Sequence, residues 1–316
     1  MTVIFPWLWV VFTIAASAAQ TARNAMQRDL IVTLGTAGAT FVRFLFGLPF
    51  ALLFLAAVSA ASGTLAPAPG AASLLWTGLG GVSQIVATGL MLAAMREKSF
   101  VVAIAYTKTE PVQVALFGLV FLGDHVSATT AAAILTATSG VMLMSWPRKA
   151  GDTSPAGASP LDASSTGVLP AGWKPAAYGL VSAAMFAFSA IGYRAGILEL
   201  GAPNFVLGAS TVLALALAIQ SALIVLGLAI FDRGLLSAIF RAWRPSMLAG
   251  FMGALASQFW FLAFAIDTAA RVRTLALIEV VFAQVVTKKV FQQQTSFREF
   301  LGMAMILAGV VLLLWG

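Results

Sequence analysis

Apolar runs of about 20 residues, separated by short polar breaks, recur from one end of the chain to the other. Each is long enough to cross a ~30 Å hydrocarbon layer as a helix. Ten such spans are expected, at about 7–26, 39–60, 74–94, 99–122, 128–146, 175–197, 204–230, 246–266, 270–290 and 297–315. The breaks carry turn chemistry, as in "REK" at 96–98, "GDHVSA" at 123–128 and "QQQTS" at 292–296. One break differs. Residues 147–175 are rich in Pro, Gly, Ser and Ala and cannot bury a core of their own, so they read as a flexible linker between residues 1–146 and 176–316. The fold class expected is an all-α polytopic membrane protein.

Composition narrows this without changing it. Of 316 residues 60% are hydrophobic and 9% charged, against about a quarter charged in soluble domains. The ten-residue alternation of an outer-membrane barrel is missing. With no cysteine, thiolate metal sites and disulfides are excluded. The single histidine, His125, sits in a polar break with no second ligand near it in sequence, so no metal or cofactor is expected. The opening apolar run has no basic leader and exceeds a signal-peptide core of ~7–15 residues, so it reads as a retained first helix. The net charge of +7 comes from basic residues scattered at helix ends, which argues for topology signals and against nucleic acid as a partner.

Those signals distribute unevenly. Arg23, Arg28, Arg96, Lys98, Arg148, Lys149, Lys174, Arg233, Arg241, Arg244, Lys288, Lys289 and Arg298 fall on one side of the expected topology. Arg194, Arg271 and Arg273 fall on the other. The positive-inside rule makes the first side cytoplasmic and puts both termini outside, in a plasma (inner) membrane.

An ungapped offset of 169 residues sets Gly140-Val141 on Gly309-Val310, Leu143 on Leu312, Trp146 on Trp315 and Glu110 on Glu279. The halves therefore read as a duplicated five-helix unit. Five is odd, so the second copy must enter the membrane upside down relative to the first, an arrangement used for alternating access.

Against this apolar background the polar positions inside spans stand out. In "AIAYTKTEPVQVALF" (103–117), Lys108 and Glu110 lie about ten residues, ~15 Å, into their span. A charge there costs ~2.5–3.5 kcal/mol and must face protein or a wet cavity. On a regular helix the two point about 200° apart, so each needs a partner elsewhere unless Pro111 unwinds the helix. Glu279, on the repeat-equivalent helix, is the expected partner of Lys108. Two readings of these three charges stand side by side: contact with a substrate carboxylate, ammonium or proton, or an ion pair that locks helices together.

Neutral stripes add to the picture. Ser17, Gln20, Asn24 and Gln27 share one face of the first helix, and Ser182, Ser189 and Tyr193 one face of the sixth. Gln84 and Thr88 in the third, and Gln258 and Trp260 in the eighth, extend the set. Each can be explained by an interhelical hydrogen bond; together they suggest a polar cavity. Arg43, about one turn into the second span, either snorkels to the interface or binds an anion from inside. Tyr106 and Trp260 either stack on a substrate or simply pack.

"SFVVAIAYTKTEPVQVALFGLVFLGDHVSATTAAAILTATSGVMLM" and "ARVRTLALIEVVFAQVVTKKVFQQQTSFREFLGMAMILAGVVLLL" resemble the two repeats of the EamA family of the drug/metabolite transporter superfamily. The resemblance rests on Glu110-Pro111, Leu122-Gly123-Asp124 and Gly140-Val141 in the first half, and Glu279, Gly302 and Gly309-Val310 in the second. Val280 and Gln293 replace the proline and acid in the second copy, so the copies have diverged.

The resemblance implies a secondary transporter, commonly an exporter, of small polar or amphipathic metabolites such as amino acids or their derivatives, with protons as the candidate coupling ion. The expected substrate-binding residues are Lys108, Glu110, Glu279, Gln20, Asn24, Arg43, Tyr106, Gln84, Tyr193, Gln258 and Trp260. No P-loop and no H-E-x-x-H motif is present. The competing reading, a polytopic enzyme acting on lipid-linked substrates, would need clustered catalytic carboxylates, and the acidic residues are dispersed.

Overall fold

The computed structural model describes residues 7–97, 106–144, 173–281 and 297–315. Among them the chain is helical throughout, without strands. In order the helices are α1 (Leu8–Leu45), α2 (Leu48–Ser62), α3 (Ala71–Glu97), α4 (Glu110–Phe117, continued by a π-turn over Gly118–Leu122), α5 (Ala128–Met144), α6 (Trp173–Leu200), α7 (Phe205–Phe231), α8 (Arg233–Arg241), α9 (Trp243–Ile266), α10 (Ala269–Leu275) and α11 (Phe297–Trp315). Among the described residues six stretches are long and apolar enough to cross a membrane: Leu30–Ser62, Ala71–Met91, Ala177–Leu200, Phe205–Phe231, Trp243–Ile266 and Phe297–Trp315. Glu110–Leu122 and Ala128–Met144 are shorter apolar helices.

The boundaries follow local chemistry. Helix α1 runs on where the sequence suggested a break near 27–38, and its one non-helical residue is Gly35 at φ 65°, ψ 173°, a conformation open essentially to glycine alone. Between α1 and α2 the chain turns at Gly47, just ahead of Pro49. Asn204 caps α7 by accepting the Leu207 N–H at 2.7 Å. Asp232 ends α7 and starts α8, accepting the Leu235 N–H at 2.9 Å. Helix α8 is an addition to the expected spans: Leu235 and Ile239, four residues apart, lie on one of its faces while Arg233 and Arg241 are exposed. Residues 147–172 of the linker expected at 147–175, and residues 98–105 and 282–296 of the expected fourth and ninth spans and their flanks, lie outside the described residues, while 173–175 already belong to α6.

Packing divides the chain into two compact units: Met1–Val82 with Ser189–Val272, and Ser83–Phe188 with Arg273–Gly316. Each unit draws on both sequence halves. In unit one, α1 packs along α9 and α2 along α7. Its core joins Leu30, Leu34, Ala39 and Val42 of α1 to Ile239 of α8 and Ala249 of α9. Gly250 lies so close to the Phe46 carbonyl that a Cβ there would sit 2.6 Å from it, the close backbone approach that small residues permit between membrane helices.

Unit two is organised by α5 against α11. A Cβ on Gly140 would meet the Gly302 carbonyl at 2.6 Å, and one on Gly309 the Ala133 carbonyl at 2.8 Å. Ala137, Val141, Leu277 and Ile306 form the core beside this seam. Phe117, Phe121 and Phe188 meet edge to face elsewhere in the unit, with centroids 5.5–6.2 Å apart.

Candidate functional site

Lys108, Glu110 and Glu279, the charges expected inside spans, lie in unit two, where the helix geometry explains their position. Before α4, residues 106–107 are helical and 108–109 form a turn. The Thr109 N–H and hydroxyl both donate to the Tyr106 carbonyl, at 3.2 and 2.7 Å. Pro111, lacking an N–H, then sits in the first turn of α4, where none is required. After α10 the chain breaks likewise at 276–277 and resumes helix at 278–281. There Leu277 N–H donates to Thr274, Glu279 to Ala276 and Val280 to Leu277, at 3.0–3.1 Å, the tight three-residue spacing of a 3₁₀ turn.

Each break presents an acid, and each acid takes a cation from the other strand of helix. Lys108 Nζ donates to Glu279 Oε1. Arg273 Nε lies 3.1 Å from Glu110 Oε1. The four side chains are between 16% and 23% exposed, so the cluster is sheltered without being sealed. Glu110 is also the first residue of α4, where the helix dipole favours a carboxylate. Four formal charges that sum to zero, held in two crossed pairs, form a set that an incoming ammonium, carboxylate or proton can enter by exchanging partners.

One sequence expectation is met in its second form and another is corrected here. Lys108 and Glu110 follow the alternative left open beside Pro111, since a turn at 108–109 interrupts the helix. Arg273, counted as a topology signal, is an internal ion-pair partner. Its repeat position is the apolar Ile104, so the repeat comparison carried no hint of it. The other two far-side cations are tied down as well. Arg194 donates to the carbonyls of Phe264, at 2.8 Å, and of Asp267. Arg271 pairs with Asp267 at 3.1 Å and lies 4.8 Å over the Trp9 ring. Burial pushes the Asp267 carboxyl above its ordinary range, with Arg271 pulling the other way.

Tyr106 contributes its carbonyl to the first break, and its ring is half-buried. Gln84, also in unit two, lies in α3, where its carbonyl accepts the Thr88 hydroxyl at 2.8 Å. The remaining expected site residues belong to unit one, where Gln20, Trp260, Gln258 and Tyr193 make neutral side-chain hydrogen bonds. Trp260 Nε1 donates to Gln20 Oε1 at 3.3 Å. Gln258 Nε2 donates to Ser210 Oγ at 2.9 Å. Tyr193, 2% exposed, accepts from Gln220 Nε2 at 3.1 Å and packs its ring against Phe261. Gln27, further along the first stripe, donates to the Ala39 carbonyl at 2.8 Å across the Gly35 kink. The Asn24 side chain lies outside the described residues.

Arg43 is held against a neighbouring helix. It follows Gly35 by two turns, its Cβ packs at Gly253 of α9, its guanidinium lies 4.3 Å over the Phe44 ring, and its Nε is buried. Arg23, 7% exposed, reaches the same glycine with its Cδ. Sequence reading placed it among the topology signals; the clue available was its i+3 spacing from Gln20 on the polar stripe. His125 is exposed, and no group of metal-binding side chains is found among the described residues.

A solved structure described only as the crystal structure of a protein matches 97% of this chain and 95% of its own, with a TM-score of 0.63 and 13% sequence identity. At that identity the likeness is one of fold. No family model and no curated protein matches the chain.

Proposed function

We propose that the chain is a secondary transporter of small polar or amphipathic metabolites, amino acids or their derivatives foremost, built on the EamA plan of ten helices in two inverted repeats. The observation that carries the proposal is the pair of broken helices whose acids and cations cross. The breaks at 108–109 and 276–277 fall one residue from equivalence at the 169-residue offset. Discontinuous helices at corresponding positions of two repeats are where membrane carriers place their ligands. The α5–α11 seam supports the same plan. Gly140 meets the backbone of Gly302 and Gly309 that of Ala133, and the offset exchanges these two contacts, as a two-fold relation between copies requires.

In this reading Lys108, Arg273, Glu110 and Glu279 exchange partners with substrate or proton as access alternates between the two sides of the membrane. Glu279 is the proton-coupling candidate. The test is counterflow in proteoliposomes, after a thermal-shift screen against amino acids, sugars and organic acids. Stabilisation by one class, lost in Lys108→Ala together with uptake of that class, is expected. Uptake unchanged in Lys108→Ala and Arg273→Ala would overturn the site, and uptake with unaltered pH dependence in Glu279→Gln would overturn the coupling role.

A further inference from the structure

Helix α8 lies between α7 and α9, two helices long and apolar enough to span a membrane. A nine-residue helix in that connection is held at the membrane–water boundary. Its inner face is accounted for: Ile239 is fully buried, and Leu235 and Ala238 pack with it against Leu30, Leu34 and Ala39 of α1. The surface around it is more exposed: Phe231 at the end of α7, Phe240 on α8, with its ring beside Phe46, and Trp243 at the start of α9 are 88%, 51% and 52% exposed, a set ill suited to water and well suited to the headgroup level, where aromatic rings anchor.

Charge identifies what lies opposite. Arg233, Arg241 and Arg244 are exposed on and beside α8. The one acid of the segment, Asp232, is engaged in capping α8. Arg233 Nε donates to the Ala229 carbonyl at 2.7 Å and Arg241 to Ser237 Oγ at 3.1 Å, while the Arg244 guanidinium lies 5.5 Å over the Trp243 ring. These contacts hold the guanidinium groups in place yet leave further N–H donors on each. We propose that α8 with Arg244 is a docking site for anionic lipid, the arginines taking headgroup phosphates and the aromatics the adjoining acyl region. This rests on the membrane character of the chain and not on the transport reading.

The test titrates the purified full chain in neutral detergent with phosphatidylglycerol or phosphatidylcholine, read by thermal shift and by bound lipid in native mass spectrometry. Wild type should prefer phosphatidylglycerol, with the preference weakening as salt is raised. Arg233→Gln/Arg241→Gln/Arg244→Gln should bind it about 100-fold more weakly, and Arg233→Lys/Arg241→Lys/Arg244→Lys should stay within about threefold of wild type. Inorganic phosphate alone should not stabilise the protein. Equal affinity of wild type for the two lipids, full retention by the glutamine variant, or an equal effect of free phosphate would each overturn the proposal. The lipid preference and salt dependence of wild type decide it even where a variant fails to fold.

Discussion

The polar interiors of the two units solve the same problem in different chemistry. Unit two carries two crossed ion pairs, Lys108–Glu279 and Arg273–Glu110, at helix breaks. Unit one keeps one ion pair, Arg271–Asp267, at a helix end, and between its helices carries neutral bonds: Trp260 to Gln20, Gln258 to Ser210 and Gln220 to Tyr193. A neutral interhelical hydrogen bond contributes on average ~0.6 kcal/mol and leaves little behind when removed. Deleting one member of a buried ion pair strands the other and costs about 3–5 kcal/mol. Unit one's neutral bonds are thus tolerant of loss, while unit two's pairs are interdependent.

Substitutions can break or sharpen this contrast. The largest effect is expected from Glu279→Ala, about 3–5 kcal/mol of lost stability in a denaturant titration, because Lys108 is left without its acid. Lys108→Met/Glu279→Leu should recover wild-type stability or exceed it and, on the proposed transport role, lose uptake; a double variant as unstable as the single one would show that the pair is not the cause. Next, Gly302→Leu should cost about 1–3 kcal/mol, since its Cβ would lie 2.3 Å from Met144 Cγ and 2.6 Å from the Gly140 carbonyl. Gly89→Leu, with no atom within 4 Å of the added Cβ, serves as its control and should change stability by less than about 0.5 kcal/mol.

In unit one, Gly35→Ala should cost about 1–2 kcal/mol by forcing a side chain onto a positive φ. The smallest effect is expected from Gln20→Leu, about 0.6 kcal/mol by the same titration. A loss above 3 kcal/mol there would erase the contrast between the units.

How much of this was legible in advance depended on whether local pattern or tertiary pairing decided it. The helical membrane class followed from run length and composition, because hydrocarbon imposes its demand on every residue of a span. The Lys108–Glu279 pair was readable because Glu279 occupies the repeat position of Glu110, which brought its helix opposite. Arg273 was not, because "RVR" at a helix start has the composition of an interface anchor and its true partner is far away in sequence. Helix α8 could have been found: Leu235, Leu236, Ile239 and Phe240 keep helical spacing between Asp232 and Pro245, but the segment is too short to register among spans of about 20 residues. The Gly35 kink was hidden for the opposite reason, since continuous helix on both sides masks one residue of unusual φ.

The sequence separation of the crossed pairs has a consequence for synthesis. Lys108 and Glu279 are 171 residues apart. At about 5–20 residues per second, roughly 9–34 s pass between the two leaving the ribosome. For that interval the segment holding Lys108 and Glu110 exists without either partner and has no favourable place in the hydrocarbon. In a membrane the second half of the chain would supply the partners that offset the cost of those charges, so 106–122 is expected to settle only once 273–279 have been made.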